Sequence, residues 1–152
     1  MPVQTVSDLM TLGPVTVEAS ATLREVLVRM KQDGFRQLPV VDARGRLVGI
    51  VTDRDVRLAM NSPLVLHDRG QDEKLLNSVT AESCMTPDPI TISPDAPAYR
   101  AAEMLSCYKF GALPVLDGEQ LVGIISVSDI LDEYVAQQRQ KAGTLPSEDI
   151  SP

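Results

Sequence analysis

Apolar positions along the chain recur with two different periods, and they do so in the same order twice. Val15 to Val17 reads as a short strand. Thr22 and Glu25 then form a capping-box pattern ahead of Leu23, Val26, Leu27 and Met30, which share one helical face. Gly34 is placed to end that helix. Leu38 to Val41 is a continuous apolar run of the kind buried strands carry, and Ala43-Arg44-Gly45-Arg46 turns it into a second strand, Leu47 to Val51. A further helix is predicted from Thr52 or Asp53 to Met60.

The same grammar returns later. A strand is predicted at Pro89 to Ile92, and a helix from Pro97 with Ala98, Ala101, Ala102 and Leu105 inward. Pro97 suits a first helical turn, where its missing N–H has no partner to lose. Strands at Leu113 to Leu116 and Leu121 to Ser126 flank the Asp117-Gly118 turn, and a last amphipathic helix carries Ile130, Leu131, Tyr134 and Val135 on one side. The stretch between the halves is polar apart from Leu64-Val65-Leu66 and Leu75-Leu76, which predicts a partly helical connector. Beyond Arg139 the chain is polar and expected to fray.

Laid on itself, the chain aligns Met10-Thr11 with Met85-Thr86, and Pro14-Val15-Thr16-Val17 with Pro89-Ile90-Thr91-Ile92. Leu38-Pro39-Val40-Val41-Asp42 meets Leu113-Pro114-Val115-Leu116-Asp117 in the same register. After a one-residue slip in the turn, Leu47-Val48-Gly49-Ile50-Val51-Thr52 meets Leu121-Val122-Gly123-Ile124-Ile125-Ser126, and Asp55 meets Asp129. Three matched blocks indicate a duplication. We divide the chain into repeats at 3–60 and 81–136, a connector at 61–80 and a flexible tail at 137–152. One repeat alone leaves a sheet face uncovered. The halves are therefore expected to join through their strands about a pseudo-twofold axis, leaving two clefts between them.

Composition narrows the function. The chain has 152 residues, 43% hydrophobic but only 3% aromatic, so its core is built from aliphatic side chains. A net charge of −7 argues against affinity for nucleic acid, which comes from neutralising many phosphates. No apolar run reaches the roughly eighteen residues of a membrane span, and the N-terminus lacks the regions of a signal peptide, so the expected setting is cytoplasmic, with no membrane partner. Cys84 and Cys107 form no CxxC and His67 is the single histidine, so no zinc constellation is present; Cys107 reads as a small, partly buried helical residue and His67 as a solvated one.

The Thr52-x-x-Asp55 segment is the strongest chemical signal. A strand entering a helix exposes backbone N–H groups that favour a phosphate, Thr52 and Arg54 add donors, and Asp55 can accept from ribose hydroxyls. The same four positions equally describe a helix cap. Ser126-x-x-Asp129 repeats the pattern.

The LPVVD and LPVLD strands, with the LVGIVTDRD and LVGIISVSD segments that follow them, resemble CBS domains, and the pair resembles a Bateman module. Among these, the VTDRDVRLAM stretch and the connector most resemble small stand-alone bacterial proteins, including accessory proteins linked to acetoin utilisation. The resemblance implies an α/β fold of two β-α-β-β-α repeats and a regulatory role without catalysis. It implies AMP, ADP, ATP or another adenosyl ligand as effector, with any magnesium arriving on the nucleotide, since Asp53 and Asp55 make no dedicated cage. It also implies a homodimer that signals to a regulated protein.

Carried over position by position, the first cleft would use Val15, Thr16, Arg36, Leu38, Pro39, Thr52, Arg54 and Asp55. A second, weaker cleft would use Ile90, Thr91, Lys109, Ala112, Leu113, Pro114, Ser126, Ser128 and Asp129. Arg36 is equally a solvated strand-edge arginine, and Val15 and Ile90 are equally core residues. Where the first repeat has Arg36 and Arg54 the second has Gly111 and Ser128, so the first cleft is expected to favour phosphorylated ligands. The rival is a structural or interaction module with empty clefts. An enzyme is disfavoured because no GxSxG, HExxH, P-loop or Cys/His couple occurs.

Overall fold

The computed structural model describes residues 3–60 and 69–143. In chain order the elements are α1 (Val6–Leu9), β1 (Thr11–Leu12), β2 (Val17–Glu18), α2 (Leu23–Asp33), β3 (Gln37–Val41), β4 (Leu47–Thr52), α3 (Asp53–Met60) and α4 (Arg69–Ser78). They continue with α5 (Ala81–Cys84), β5 (Thr86–Pro87), α6 (Ala98–Tyr108), β6 (Ala112–Asp117), β7 (Gln120–Ser126) and α7 (Val127–Ala142).

Local chemistry accounts for the helix ends. The Thr22 hydroxyl accepts from the Glu25 amide at 3.3 Å, while the Glu25 carboxylate accepts from the Thr22 amide at 3.1 Å, closing the predicted box. Gly34 ends α2 with φ of 71°, a left-handed value that costs glycine little. Its counterpart at the end of α6 is Lys109, held at φ of 58° without glycine's freedom.

Two sheets form, one ordered β2-β3-β4-β5 and the other β1-β7-β6. β2 runs parallel to β3, whereas β3 and β4, like β6 and β7, are antiparallel hairpin partners. Each sheet is completed by the other repeat. β5 pairs with β4 through Gly49↔Pro87 and Ile50↔Thr86, and β1 pairs with β7 through Thr11↔Ile124 and Leu12↔Gly123. The short helices follow their strands: α1 hydrogen-bonds the second repeat (Val6 N to Ala96 O, 2.8 Å; Ser7 N to Pro94 O, 2.9 Å). In the mirror arrangement α5 hydrogen-bonds the first repeat (Ala81 N to Ala21 O, 2.8 Å; Glu82 N to Ala19 O, 3.0 Å).

The cores show the same exchange. Ala81 is buried with Leu23, Val26, Leu38, Val40, Val51 and Val56, and Val6 is buried with Ala101, Leu105, Leu113, Val115 and Ile125. The leader of each repeat, residues 3–12 and 79–87, thus belongs structurally to its neighbour.

Several expectations are corrected. Pro89 to Ile92 forms no strand: Ile92 alone bridges Val115 in parallel, because Pro89 cannot donate, Asp88 turns the backbone at φ of 47°, and Ser93-Pro94 follows. The strand expected at Val15 to Val17 shrinks to Val17–Glu18. Pro97 stands outside its helix as the N-cap, extended at φ −60° and ψ 139°. Ala102 is only partly buried, and Cys107, expected to be partly buried, is exposed. The last helix runs past Arg139 to Ala142 and ends at Gly143, so the tail drawn from 137 begins in helix. In the connector α4 supplies the expected helical part. Leu64-Val65-Leu66, His67 and residues 144–152 lie outside the described residues.

Candidate functional site

Two cavities lie between the repeats, and each mixes residues from both. The first, of about 570 Å³, is lined by Thr11, Val15, Gly34, Phe35, Arg36, Gln37 and Pro39 from one repeat and Ala112, Ile124, Ser126, Ser128 and Asp129 from the other. The second, of about 330 Å³, is lined by Gln37, Ile50 and Thr52 together with Thr86, Asp88, Pro89, Ile90, Phe110, Gly111, Ala112 and Pro114. We call them the Arg36 cleft and the Asp88 cleft. Gln37 and Ala112 stand at the divide and line both. The repeats close in tightly there, since a Cβ on Gly111 would sit 3.0 Å from Gln37 Nε2.

This sorting redraws the expected sites. Arg36 shares its cleft with Val15 and Pro39 as expected, but the turn residues beside them are Ser126, Ser128 and Asp129 of the other repeat in place of Thr52, Arg54 and Asp55. Thr52 faces Ile90, Ala112 and Pro114. The reason is the exchanged leader: β1 lies along β7, so the residues after it are carried to the second repeat's strand-to-helix turn, and β5 does the converse.

Leu38 and Leu113 are fully buried, one in each core, and their neighbours Pro39 and Pro114, equally buried, back the clefts on the opposite strand face. Thr16 lines neither cleft but a separate groove with Glu18, Arg24 and Arg29. Arg54, Asp55, Thr91 and Lys109 are absent from both linings. Unforeseen cleft residues include Thr11, Thr86, Phe35, Phe110 and Asp88. The repeat alignment pairs the threonines and the phenylalanines with each other, which was the available signal.

The Ser/Thr-x-x-Asp turns are reciprocal caps. The Thr52 amide donates to Asp55 Oδ2 at 2.9 Å and the Asp55 amide to Thr52 Oγ1 at 3.1 Å. The Ser126 amide donates to Asp129 Oδ2 at 2.8 Å and the Asp129 amide to Ser126 Oγ at 3.1 Å. The first helical amides are also engaged, Asp53 N with Arg36 O at 2.8 Å and Val127 N with Gly111 O at 3.0 Å. Most of the first-turn donors expected for a phosphate are therefore spent inside the protein. Each aspartate retains its other carboxylate oxygen as an acceptor. Close to Asp55, burial pushes the Cys84 thiol above its ordinary range, and the Asp55 carboxylate adds to the effect.

The family follows from this architecture and from direct comparison. The CBS domain family model matches residues 6–62 and 81–136. The chain belongs to the CBS domain family, as two tandem repeats. A CBS domain-containing protein of Dictyostelium discoideum is 36% identical over 128 residues, covering 84% of this chain and 88% of that protein. Among solved structures, a Vibrio cholerae protein named for acetoin utilization superposes with a TM-score of 0.77 at 28% identity, covering 95% of this chain and all of the other. The CBS domain pair of protein MJ0100, in complex with 5′-methylthioadenosine and S-adenosyl-L-methionine, gives 0.75 at 28% identity over 90% of this chain and 99% of that one. CBSX2 in complex with AMP gives 0.73 at 26% identity over 89% and 98%. Among the described residues no helix is long and apolar enough to cross a membrane.

Proposed function

We propose that this CBS pair is a regulatory module that binds adenine nucleotides or adenosyl compounds between its repeats. The observation that carries the reading is that each cleft sets the strand-to-helix turn of one repeat, Ser126 with Asp129 in one and Thr52 alone in the other, against the segment after the exchanged leader of the opposite repeat. Val15 and Ile90 offer apolar contact to a base, and in the Arg36 cleft Asp129 offers an acceptor to ribose hydroxyls. Arg36 offers charge to a phosphate. The ligands held by MJ0100 and CBSX2 support this chemistry. A ligand touching both repeats stabilises one arrangement of them over others, and a partner protein reads that arrangement.

Val127, Leu131, Tyr134 and Val135 expose an apolar strip on α7, which buries no residue within the chain. We assign this strip to a homodimer, observable by light scattering. A sensor of adenine compounds belongs where they are abundant, in the cytoplasm. The reading contains no catalytic step, and turnover of a nucleotide by the purified protein would overturn that part.

Thermal denaturation against AMP, ADP, ATP, S-adenosylmethionine and 5′-methylthioadenosine is the test. A ligand present at about a hundred times its Kd adds about 2.7 kcal/mol to stability. The absence of a shift with every compound would leave the interaction module with empty clefts as the correct description.

A further inference from the structure

The two clefts are built from equivalent positions, so their differences are informative. Where the Arg36 cleft has Arg36, the Asp88 cleft has Gly111. Where the first leader turns on Gly13 at φ of 58°, the second turns on Asp88 at φ of 47°, an exposed residue that belongs to the cleft lining. Asp88 therefore adds a solvent-exposed negative charge to the lining of a cavity whose other walls are largely apolar: Ile50, Pro89, Ile90, Phe110 and Pro114.

Among the described residues no cation is in the lining of this cleft: Arg54 on the first turn of α3 and Lys109 at the end of α6, close in sequence to its Thr52 and Phe110 walls, are both exposed and outside it. Arg54 is flanked by Asp53 and Asp55. Asp53 is itself paired with Arg57 at 3.6 Å. In the Arg36 cleft the acid is Asp129, with one carboxylate oxygen held by the Ser126 amide, and the arginine faces the cavity without a second acid in the lining.

Resting on the adenosyl reading above, we propose that the clefts divide their ligands by charge, with Arg36 and Asp88 as the deciding residues. The Arg36 cleft takes a phosphorylated adenine nucleotide. The Asp88 cleft takes an adenosyl compound without phosphate, because a phosphate would enter an apolar cavity against a carboxylate, whereas a neutral thioether or cationic sulfonium would not. The chain would then respond to two metabolite classes at once.

Isothermal titration calorimetry with AMP, 5′-methylthioadenosine and S-adenosylmethionine tests this on the wild type, Arg36→Gln and Asp88→Gly. The glycine variant installs the residue that the first repeat uses at this turn, so the backbone is retained. In the wild type, AMP and methylthioadenosine are expected to bind together without displacing each other. Arg36→Gln is expected to weaken AMP by about tenfold or more while leaving methylthioadenosine within about twofold. Asp88→Gly is expected to admit a second AMP. Comparing the sulfonium with the neutral thioether then reports whether Asp88 attracts a cation or only rejects an anion.

Mutual displacement of AMP and methylthioadenosine, or equal effects of each substitution on both, would overturn the division while leaving adenosyl binding intact. No binding of any compound to folded wild-type protein would overturn both.

Discussion

Asp129 illustrates how one side chain serves two ends. Its Oδ2 accepts from the Ser126 amide and its own amide donates back to the Ser126 hydroxyl, so it is a structural cap before any ligand arrives. It also lines the Arg36 cleft. Truncation to alanine therefore confounds two losses. Asp129→Ala is expected to cost about 1 kcal/mol in urea denaturation, whereas Asp129→Asn, whose amide oxygen still accepts, should stay within about 0.5 kcal/mol. Both should weaken AMP in calorimetry, because the asparagine has lost the charge that makes a strong acceptor for ribose. Full AMP affinity in Asp129→Asn would reduce the residue to a cap. The spacing of Ser126 and Asp129 made both roles visible in the sequence, but not which cleft they serve.

Among the elements, the shortest strands organise the molecule. β1 and β5 have two residues each, yet each seals the edge of the other repeat's sheet. Their docking needs a bare backbone on the receiving strand. A Cβ on Gly49 would sit 2.9 Å from the Thr86 carbonyl oxygen, and one on Gly123 would sit 2.9 Å from that of Thr11, with Met85 and Met10 side chains also in the way. Gly49→Ala and Gly123→Ala should each lose about 1–3 kcal/mol by chemical denaturation, as overpacked sites do. A loss below about 0.5 kcal/mol at both would mean that the leaders are not firmly seated. The glycines were conspicuous as a matched pair in LVGIV and LVGII. Their reason was not, because it lies in a segment far away in sequence.

At the scale of the molecule, the two repeats are not independent domains. The first core includes Ala81 with Leu76, Val79, Cys84 and Met85 packed against it, and the second includes Val6 with Leu9 and Met10. A fragment of residues 1–62 lacks its closing strand and part of its core, and at that length a domain is marginal even when complete. Residues 1–62 and 75–143 expressed separately should each show little cooperative melting. Cooperative unfolding of either fragment near the temperature of the full chain would show that the exchanged leaders are dispensable.

Sequence alone determined the duplication, the helix caps at Thr22, Thr52 and Ser126, the buried strands beginning at Leu38 and Leu113, and the likeness to CBS domains. These rest on local patterning, where hydrophobic period and capping chemistry act between residues a few positions apart. Which residues share a cleft was decided only by the tertiary structure. Placing Arg36 with Asp129, and Thr52 with Asp88, follows from leaders that cross to the opposite repeat and pair there through backbone hydrogen bonds. Backbone pairing carries almost no side-chain signature, so the exchange left little trace in the sequence beyond two glycines. Nor did the sequence show that the Ser/Thr-x-x-Asp turns consume most of their own amides. That accounting required the positions of the Arg36 and Gly111 carbonyls, which accept from the first amides of α3 and α7 and lie in the loops before β3 and β6.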